Sequence, residues 1–545
     1  MVKADTILKS NHIFTAVNKE AMDGIVAVKG NKVIYVGNST ALNEFTDSHT
    51  QIIDCTDKVV LPGFIDAHVH FLMSALFHNG TVKVIEGTSE QECVDAIGDF
   101  ADKWGHDEWV ATCGWYLPLW EKQVLPTKAS LDAVFPDRPV AMLSGDLHTV
   151  WLNTRGLEKL GITKDSVPPK GGKYGKDKNG NLTGILFETA GLQAVSKIFQ
   201  FNDEILLNAY KDFLDYLVEN GVTTVCDVAP PDMNDELFAR LFDNGELSVR
   251  INMYPELRED LTHVKVLREK YHGDMLKFGG LKQFFDGVSG THTAYLSEPY
   301  ANAYYDGDVG RLTIQSEEME KLVMSAVEND MGVRIHTIGD GAIHCALDIF
   351  EKAEQKYGKK PHIQHTLEHL ENIQEVDIKR LHDLNVVASV QPAHTLIDPA
   401  GIENDLGLER AKLMWAFRDM LDSGVTVAFG TDSPVVEANA LRTLYYAVTR
   451  ENLEGKPEGG WQPHQKITME EALIAHTYGS ARAAKRETEL GTLEVGKLAD
   501  IIVLDRNILE KEPKELLETK VELTMTNGRI VYQALSSRNP VTAGV

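Results

Sequence analysis

The sequence predicts an α/β protein built on a (β/α)8 TIM-like barrel, with a small composite β-sandwich domain from both termini and a large insertion at the barrel mouth. Three observations predict this fold class. Short apolar strands alternate with helical patterns through the middle of the chain, strand patterns alone occupy both ends, and 545 residues exceed the size of one hydrophobic core. We therefore expect one large domain and at least one smaller one.

Strand patterns at the two ends of the chain predict the composite domain. Near the N-terminus, two apolar runs flank the turn signal Gly30-Asn31-Lys32, and near the C-terminus Asn527-Gly528 separates two more. Because these patterns are confined to the ends, we expect residues 1–62 and 486–545 to pair into one small β-sandwich domain.

Between these ends, the chain repeats a helix that ends at glycine and a short apolar strand that follows it. Residues 204–219 have apolar side chains at helical spacing, and Asn220-Gly221 ends that helix. Similar steps predict strands near residues 63–69, 222–228, 249–254, 279–286, 333–337, 364–369, 386–391 and 425–431. Eight strands that alternate with helices predict a closed barrel over residues 63–485.

One connection of the predicted barrel is much longer than the others. Residues 78–200 hold further apolar runs and a glycine-rich stretch within a single βα connection. We interpret them as an insertion subdomain at the barrel mouth, because long insertions on functional loops usually shape a substrate site.

Charge and cysteine content limit the partners and the compartment. A net charge of −27, spread along the chain, would repel nucleic acid and anionic membranes, so we expect neither as a partner. The five cysteines have no C-x-x-C spacing, which argues against a disulfide framework. The first residues do not resemble a signal peptide and no apolar run of about 18 residues occurs, so we expect a cytoplasmic protein.

His68 and His70 are the first candidate metal ligands. The period of two along a strand places both imidazoles on one face, so both can reach one metal ion. Four more residues suited to metal chemistry stand at the carboxyl ends of other predicted strands: Lys282, His336, His369 and Asp432. Singly, each has a structural alternative, such as a core histidine or a helix cap. Together they favour a metal site, because a buried unpaired charge is costly.

A series of short motifs runs in order along nearly the whole chain. They are Leu61–His70, Asp137–Val140, Asp146–His148, Lys282–Gly287, His336–Asp340, Leu367–His369, Gln391–His394, Gly430–Pro434 and Gly491–Asp500. Through these motifs the sequence resembles the amidohydrolase superfamily, and within it the amidohydrolase-3 branch of N-substituted formamide deformylase-like metal-dependent hydrolases.

The resemblance implies a binuclear metal site. Its ligands, by position, would be His68 and His70 on one ion, His336 and His369 on a second, a carbamylated Lys282 as the bridge, and Asp432. The ions would be two zinc ions, with manganese, iron, nickel or cobalt as alternatives. His365 is a rival for the place of His369, but the spacing to the Gln391-Pro392 motif favours His369.

The resemblance also implies three catalytic residues. Asp432 would pass a proton from the attacking water to the leaving nitrogen, while hydroxide activated by the metal attacks the carbonyl carbon. His148 and His394 would lie near the substrate and donate a hydrogen bond to its carbonyl oxygen. Each of these two histidines has a structural role as its alternative.

Four further residues are candidates for substrate binding. Glu188 falls in a family-like segment, and Trp115 and Trp120 would line an apolar pocket, with core packing as their alternative role. His292 stands where related sequences often carry arginine. The absence of a permanent cation there weakens the expectation of a carboxylate on the substrate.

The predicted function is metal-dependent hydrolysis of an amide-type C–N bond in a small molecule: an N-substituted formamide, an aryl amide or a cyclic amide. Mononuclear deamination is an alternative, although such relatives usually carry glutamate three residues after the strand-five histidine, where this chain has Gly339. Ester or phosphoester hydrolysis on the same scaffold is another. An inactive binding or regulatory protein is the alternative from a different class. We expect a homodimer.

Overall fold

The computed structural model describes residues 2–534 apart from 86, 104–108, 118–119, 123, 146–148, 170 and 229–234. The described chain is α/β, as predicted, and it divides into two compact units. The first unit comprises Met1–Phe71, Leu214–Ala229 and Phe238–Val545, and the second comprises Leu72–Phe213 and Pro230–Leu237. Strands and helices are numbered along the chain.

Strands from both termini join in one mixed sheet of the first unit. Its order is β23-β22-β21-β5-β1-β2-β3, and β4 pairs with β1. These strands are β1 Thr6–Phe14, β2 Ala21–Lys29, β3 Lys32–Gly37, β4 Gln51–Asp54, β5 Val59–Pro62, β21 Ile501–Leu504, β22 Val521–Thr526 and β23 Arg529–Gln533. The predicted turn between the last two strands has positive φ at both Asn527 (54°) and Gly528 (75°), as a type I′ hairpin requires.

Two parallel sheets form the rest of the first unit's β-structure. Their orders are β15-β14-β13-β6 and β16-β17-β18-β19-β20. The strands are β6 Phe64–Val69, β13 Val222–Asp227, β14 Arg250–Met253, β15 Leu276–Phe278, β16 Leu281–Phe284, β17 Val333–Thr337, β18 Thr366–His369, β19 Val387–Val390 and β20 Val427–Phe429. Isolated parallel bridges link the two sheets, one between Glu256 and Lys282 and one between Val69 and Ser433.

The strand predicted near residues 279–286 contains β16, and a further short strand, β15, precedes it, with Gly279-Gly280 between the two. A Cβ on Gly279 would lie 2.4 Å from the Tyr254 ring, and one on Gly280 would lie 2.7 Å from the Gly332 carbonyl oxygen. This close approach requires glycine and interrupts the regular strand. The other predicted barrel strands each contain an observed strand.

The second unit has its own mixed sheet and its own core. The sheet order is β11-β12-β10-β9-β8-β7, with β7 Lys83–Val84, β8 Val110–Trp115, β9 Val140–Ser144, β10 Thr149–Leu152, β11 Gly172–Lys176 and β12 Leu182–Glu188. Side chains of this sheet pack with apolar residues of the helices over Glu90–Ala101 and Lys128–Val134. The insertion predicted over residues 78–200 falls within this unit.

Helices connect the strands of both units. They are α1 Leu42–Phe45, α2 Phe71–His78, α3 Glu90–Ala101, α4 Lys128–Val134, α5 Thr154–Lys159, α6 Thr189–Ile198, α7 Asp203–Glu219, α8 Asp235–Asp243, α9 Thr262–Lys270, α10 Ser316–Glu328, α11 Asp340–Tyr357, α12 Glu375–Asp383, α13 Pro399–Leu406, α14 Leu408–Ala411, α15 Phe417–Asp422, α16 Ala440–Thr449, α17 Met469–Ile474 and α18 Ser480–Ala483. Among the described residues, none of these helices combines the length and the apolar character needed to cross a membrane.

Candidate metal centre

Strand β6 carries two buried polar residues on one face. Asp66 and His68 are two residues apart, so both side chains lie on the same side of the strand. The Asp66 carboxylate accepts hydrogen bonds from the backbone N–H groups of His68 (3.1 Å) and Thr431 (3.0 Å), and from the Thr431 hydroxyl (2.6 Å). Asp66 therefore ties the end of β6 to the residues that follow β20.

The chain that follows β20 approaches β6 closely at Gly430. A Cβ on this glycine would lie 2.6 Å from the backbone nitrogen of His68, so no side chain fits there. Two residues later, the Asp432 N–H donates to the His68 carbonyl oxygen at 2.7 Å. This backbone contact brings the Asp432 carboxylate beside the His68 imidazole.

His68, His70 and Asp432 form the first cluster of potential metal ligands. The Nε2 atoms of His68 and His70 lie 3.3 and 3.1 Å from Asp432 Oδ1. One ligand atom from each of the three residues lies within 4.8 Å of the others, and the cluster is largely buried. The structure thus brings together three residues that the sequence predicts as ligands.

His369, His394 and Asp432 form a second cluster with the same spacing. The His394 Nε2 atom lies 3.8 Å from Asp432 Oδ2, and the rings of His369 and His394 are nearly parallel with centroids 6.1 Å apart. One oxygen of Asp432 therefore faces the first cluster, and the other faces His394 of the second. This carboxylate lies between the two clusters.

Two histidines have partners that orient their rings. Glu368 accepts a hydrogen bond from His68 Nδ1 at 2.6 Å, and the Gln391 side-chain oxygen accepts one from His369 Nδ1 at 2.9 Å. With the proton on Nδ1, the lone pair of each ring is on Nε2. A hydrogen bond of this kind typically orients a metal-binding histidine.

A buried ion pair supports the first of these contacts. An Arg334 guanidinium nitrogen lies 3.1 Å from the second carboxylate oxygen of Glu368, and the guanidinium stacks on the Tyr254 ring at 4.2 Å. Burial alone would raise the pKa of the Glu368 carboxyl, but Arg334 and His68 hold it at about 2. Sequence reasoning missed both roles. The sequence indicates only that a charged side chain within a buried apolar strand needs a partner, and the strand pattern does not identify that partner.

Lys282 and His336 lie beside the clusters. Lys282 is 2% exposed, its Nζ atom lies 3.4 Å from His68 Nε2, and burial lowers the pKa of its amine to about 8. His336 Nε2 donates to the Gly287 carbonyl oxygen at 3.2 Å, and its ring centroid lies 4.4 Å from that of His369. His336 belongs to neither cluster found among the described residues, whereas His394 takes part in the second.

Burial favours the neutral form of three imidazoles at this site, those of His68, His336 and His369. Burial lowers the pKa of His68 to about 4 and that of His336 to about 3, and it also places the pKa of His369 well below its ordinary value. A neutral ring offers the lone pair that a metal ion binds, so these histidines need lose no proton on binding.

The arrangement fits a divalent metal ion. His394 Nε2 is buried and has no hydrogen-bond partner among the described residues, which is costly for a ring nitrogen unless a ligand satisfies it. Imidazole nitrogens and a carboxylate oxygen are donors that zinc and similar ions accept. The buried clusters around Asp432 therefore have the chemistry of a metal centre.

His292 lies in the segment that follows β16. Its ring stacks between those of Tyr300 (3.9 Å) and Tyr304 (3.8 Å), and its Nδ1 atom lies 2.7 Å from an Asp308 oxygen. These contacts give His292 a packing role within that segment. Its predicted contact with substrate stays a prediction.

Three other candidates for substrate binding lie in the second unit. Trp115 and Trp120 are buried in the core of that unit, and the Trp115 indole N–H donates to the Met142 carbonyl oxygen at 3.1 Å. Both tryptophans thus have the packing role that was their alternative. Glu188 is the last residue of β12, and its backbone has a positive φ angle of 51°. Contact of these three residues with substrate stays a prediction.

Two histidines complete the set of candidates. His148 lies outside the described residues. His365, the rival of His369, accepts a hydrogen bond from the Val333 N–H at 3.3 Å and stacks on Phe350. These contacts place His365 in the packing around the start of β17.

Comparison with known proteins relates the chain to hydrolases. Residues 51–532 match the model of the amidohydrolase family. Protein LONG AFTER FAR-RED 3 of Arabidopsis thaliana is 27% identical over 548 residues, which cover 97% of this chain and 92% of that protein. The N-substituted formamide deformylase of Arthrobacter pascens is 26% identical over 561 residues, which cover 98% and 99% of the two chains.

A solved structure has a similar fold. The crystal structure of an uncharacterized metal-dependent hydrolase from Pyrococcus horikoshii OT3 matches with a TM-score of 0.77 and 27% sequence identity. The match covers 93% of this chain and 99% of the other.

Proposed function

The chain belongs to the amidohydrolase family and is a hydrolytic enzyme that acts on C–N bonds, and from this premise we propose that it cleaves the amide-type bond of an N-substituted formamide, an aryl amide or a cyclic amide. One observation carries the proposal: two buried histidine clusters share the carboxylate of Asp432. The relative that deformylates N-substituted formamides, matched over nearly its whole length, supports the choice of substrate class.

The proposed cofactor is a pair of zinc ions, with manganese, iron, nickel or cobalt as alternatives. His68, His70 and Asp432 would hold one ion, and His369 with His336 or His394 would hold the other. When bound, such ions polarise a carbonyl group and lower the pKa of water.

Asp432 and His394 are the proposed catalytic residues. Asp432 would accept a proton from the attacking water and return it to the leaving nitrogen, and the direction of its two oxygens, which face the two clusters, supports this role. His394 would donate a hydrogen bond from Nε2 to the carbonyl oxygen, since that nitrogen makes no hydrogen bond with the described residues. His394 thus has two alternative roles, as a metal ligand and as a hydrogen-bond donor to the substrate. As a ligand, its Nε2 carries no proton, whereas as a donor, its Nε2 carries the proton.

Lys282 is proposed to be carbamylated. Carbamylation requires a neutral amine, and burial lowers the pKa of Lys282 to about 8, so a substantial fraction of the amine is neutral near that pH. An ammonium group cannot ligate a cation, whereas a carbamate oxygen can. Mass spectrometry of the intact protein under bicarbonate tests this modification.

The two parallel sheets are proposed to form one (β/α)8 barrel. The bridges between Glu256 and Lys282 and between Val69 and Ser433 support closure, since they connect the sheets at two places. The terminal sheet is proposed to be the composite β-sandwich domain that accompanies the barrel.

Assembly and location are further proposals. We expect a homodimer and a cytoplasmic location, with a small molecule as the substrate and no nucleic acid partner. All five cysteines are free, which suits a reducing compartment. Sedimentation of the purified protein tests the dimer.

A hydrolysis screen with metal-loaded enzyme tests the proposed function. The panel contains N-substituted formamides, anilides, cyclic amides and esters, with chelator-treated enzyme as the control. We expect amine release from at least one amide class and loss of this activity after chelation. Turnover of esters alone, or deamination of a heterocycle without amide hydrolysis, would contradict the proposal.

A further inference from the structure

We call residues 288–310, which follow β16, the strap. A Cβ on Gly339 would lie 2.1 Å from the Tyr295 carbonyl oxygen, so the strap closely approaches the backbone of that glycine. The Ser297 N–H donates to the Asp340 carboxylate at 3.0 Å. Because Gly339 and Asp340 come just after β17, the strap packs at the carboxyl end of that strand.

The strap also packs against α13 and α14, which follow β19. The Ala301 N–H donates to the Asp405 carbonyl oxygen at 2.7 Å, and the Asn302 side-chain amide donates to the Asp405 carboxylate at 2.8 Å. The Arg410 guanidinium of α14 donates to the Pro299 carbonyl oxygen at 2.8 Å. The strap therefore joins the segments that follow β16, β17 and β19.

His292 lies where the strap meets α13, and its side chain is 3% exposed. Its Nδ1 atom lies 2.7 Å from an Asp308 oxygen, and its Nε2 atom lies 3.8 Å from Asp405 Oδ1. The rings of Tyr300 and Tyr304 stack on it at interplanar angles of 7° and 8°. Each ring nitrogen thus faces a carboxylate, and each ring face lies on a tyrosine.

These surroundings suit an imidazolium better than a neutral imidazole. A neutral ring has one N–H and one lone pair, so one nitrogen would direct its lone pair at a carboxylate. An imidazolium presents an N–H to both carboxylates, and the faces of aromatic rings attract a cation. The 3.8 Å between Nε2 and Asp405 is too long for a hydrogen bond but short enough for an ion pair.

The two carboxylates differ in how firmly they hold the ring. Burial alone would raise the pKa of the Asp308 carboxyl, but its hydrogen bond with His292 and two backbone N–H groups lower it. Burial raises the pKa of Asp405, and the nearby charge of Asp398 adds to this shift. Asp405 therefore depends more on a cation beside it, and the contact with α13 is the weaker side of the junction.

We propose that His292 is a pH-sensitive clamp, which as an imidazolium holds the strap on α13 and which releases α13 when the ring loses its proton. Histidine ordinarily changes its charge between about pH 5 and 8. Loss of the proton leaves a lone pair on Nε2 facing Asp405, so the clamp weakens as the pH rises. The proposal concerns the strap and holds whichever bond the enzyme cleaves.

Asp286 is another ionisable group that contacts the strap. It accepts a hydrogen bond from the Tyr295 N–H at 3.0 Å, and burial raises its pKa to about 7. Ionisation of this carboxyl strengthens the hydrogen bonds that it accepts. Its effect on the strap at higher pH is therefore opposite in sign to that of His292, and the two can be told apart.

Hydrogen–deuterium exchange of the purified full-length protein at pH 6 and pH 9 tests the clamp. Protection factors, which correct for the pH dependence of exchange in an unfolded chain, should fall at least tenfold for amides of the strap. Those of α10 should change less than threefold. In His292→Gln, which carries no charge at either pH, protection of the strap should already be low at pH 6 and should change less than threefold.

His362→Gln is the control for this variant, because His362 is an exposed histidine that pairs with Asp330 at 2.9 Å, and it should behave as the wild type does. Strap protection that is constant in the wild type, or that rises with pH, would overturn the proposal without any variant. An equal fall in the wild type and in His292→Gln would also overturn it, since another group would then control the strap.

A second pair of variants covers the case in which His292→Gln does not fold. Asp405→Asn keeps the imidazole and removes the carboxylate of α13, so protection of the strap at pH 6 should fall at least fivefold. Asn302→Ala removes a neutral partner of Asp405 and should keep the tenfold pH dependence. Wild-type protection in Asp405→Asn, or the same loss of pH dependence in both variants, would contradict the clamp. None of these measurements needs a substrate, so they stand apart from the proposed function.

Discussion

The Glu368 carboxylate lies 2.6 Å from Nδ1 of His68, and both side chains are fully buried. The contact joins the ends of β18 and β6, which are 300 residues apart in sequence. It directs the Nε2 lone pair of His68 toward Asp432. The ligand set of the candidate metal centre thus depends on a carboxylate that is not itself in either ligand cluster.

Replacing this carboxylate should weaken metal binding. Glu368→Gln keeps the shape but removes the negative charge, so the metal affinity should fall by about 10- to 100-fold. The unfolding free energy should also fall, by about 3–5 kcal/mol, because Arg334 loses its partner in the buried ion pair. Chelator competition and urea unfolding measure the two effects. Glu403→Gln, at a partly buried glutamate that accepts from the Trp461 indole, is the control and should leave metal affinity unchanged.

Asp432 should be indispensable for turnover. Asp432→Asn keeps the volume but removes the proposed proton acceptor and the charge between the two clusters, so kcat should fall by at least about 10²–10⁴-fold. Steady-state kinetics at saturating metal measures this loss. A variant that keeps more than a tenth of the activity would show that another group moves the proton.

The approach of Gly430 to β6 predicts a local steric effect. Gly430→Ala places a methyl group against the His68 backbone and should lower the unfolding free energy by about 1–3 kcal/mol, together with metal affinity. Gly98→Ala is the control, because that helical glycine has open space around it and alanine should stabilise the helix by about 0.5–1 kcal/mol. Thermal unfolding with and without metal measures both variants.

Glu471 predicts a pH dependence of stability. It accepts from Arg418 (2.7 Å), Lys19 (2.8 Å) and the Thr468 N–H (2.9 Å), and although burial opposes ionisation, these partners lower its pKa from 4.5 to about 2. Because the pKa of Glu471 is lower in the folded state, its ionised carboxylate stabilises the folded state at pH values above 4.5, the pKa in the unfolded state. This stability is lost as the pH falls toward 2, the pKa in the folded state.

Urea unfolding between pH 5 and pH 2 tests this dependence. The difference in stability between the wild type and Glu471→Gln should be largest at pH 5 and should shrink as the pH falls. Glu470→Gln, on the same helical turn, is the control. A difference that stays constant across this range would show that the carboxylate contacts contribute nothing through ionisation.

Much of the candidate site could be predicted from the sequence, because strand periodicity and the order of the motifs both indicate which residues lie at the carboxyl ends of the strands. His68 and His70 follow from the period of two, and the position of Asp432 follows from the turn after an apolar strand. The contact between Glu368 and His68 could not be predicted this way. It depends on the arrangement of two strands that are distant in sequence, and the pattern within either strand carries no information about it.

Two other features depend on tertiary contacts. The break between β15 and β16 occurs where Gly279 packs against the Tyr254 ring. The apolar pattern of that segment does not predict this contact. His394 lies in a 3-10 turn, where no periodicity predicts the direction of a side chain. Its place beside Asp432 therefore needed the structure.

The metal content of the purified protein tests the central claim most directly. Elemental analysis by mass spectrometry, after purification without chelators, should find at least about one equivalent of zinc or a similar divalent ion per chain. Histidine side chains and Asp432 would then hold it as described. Less than about one equivalent, with no recovery after metal and bicarbonate are added, would contradict the claim that this chain is a metal-dependent hydrolase.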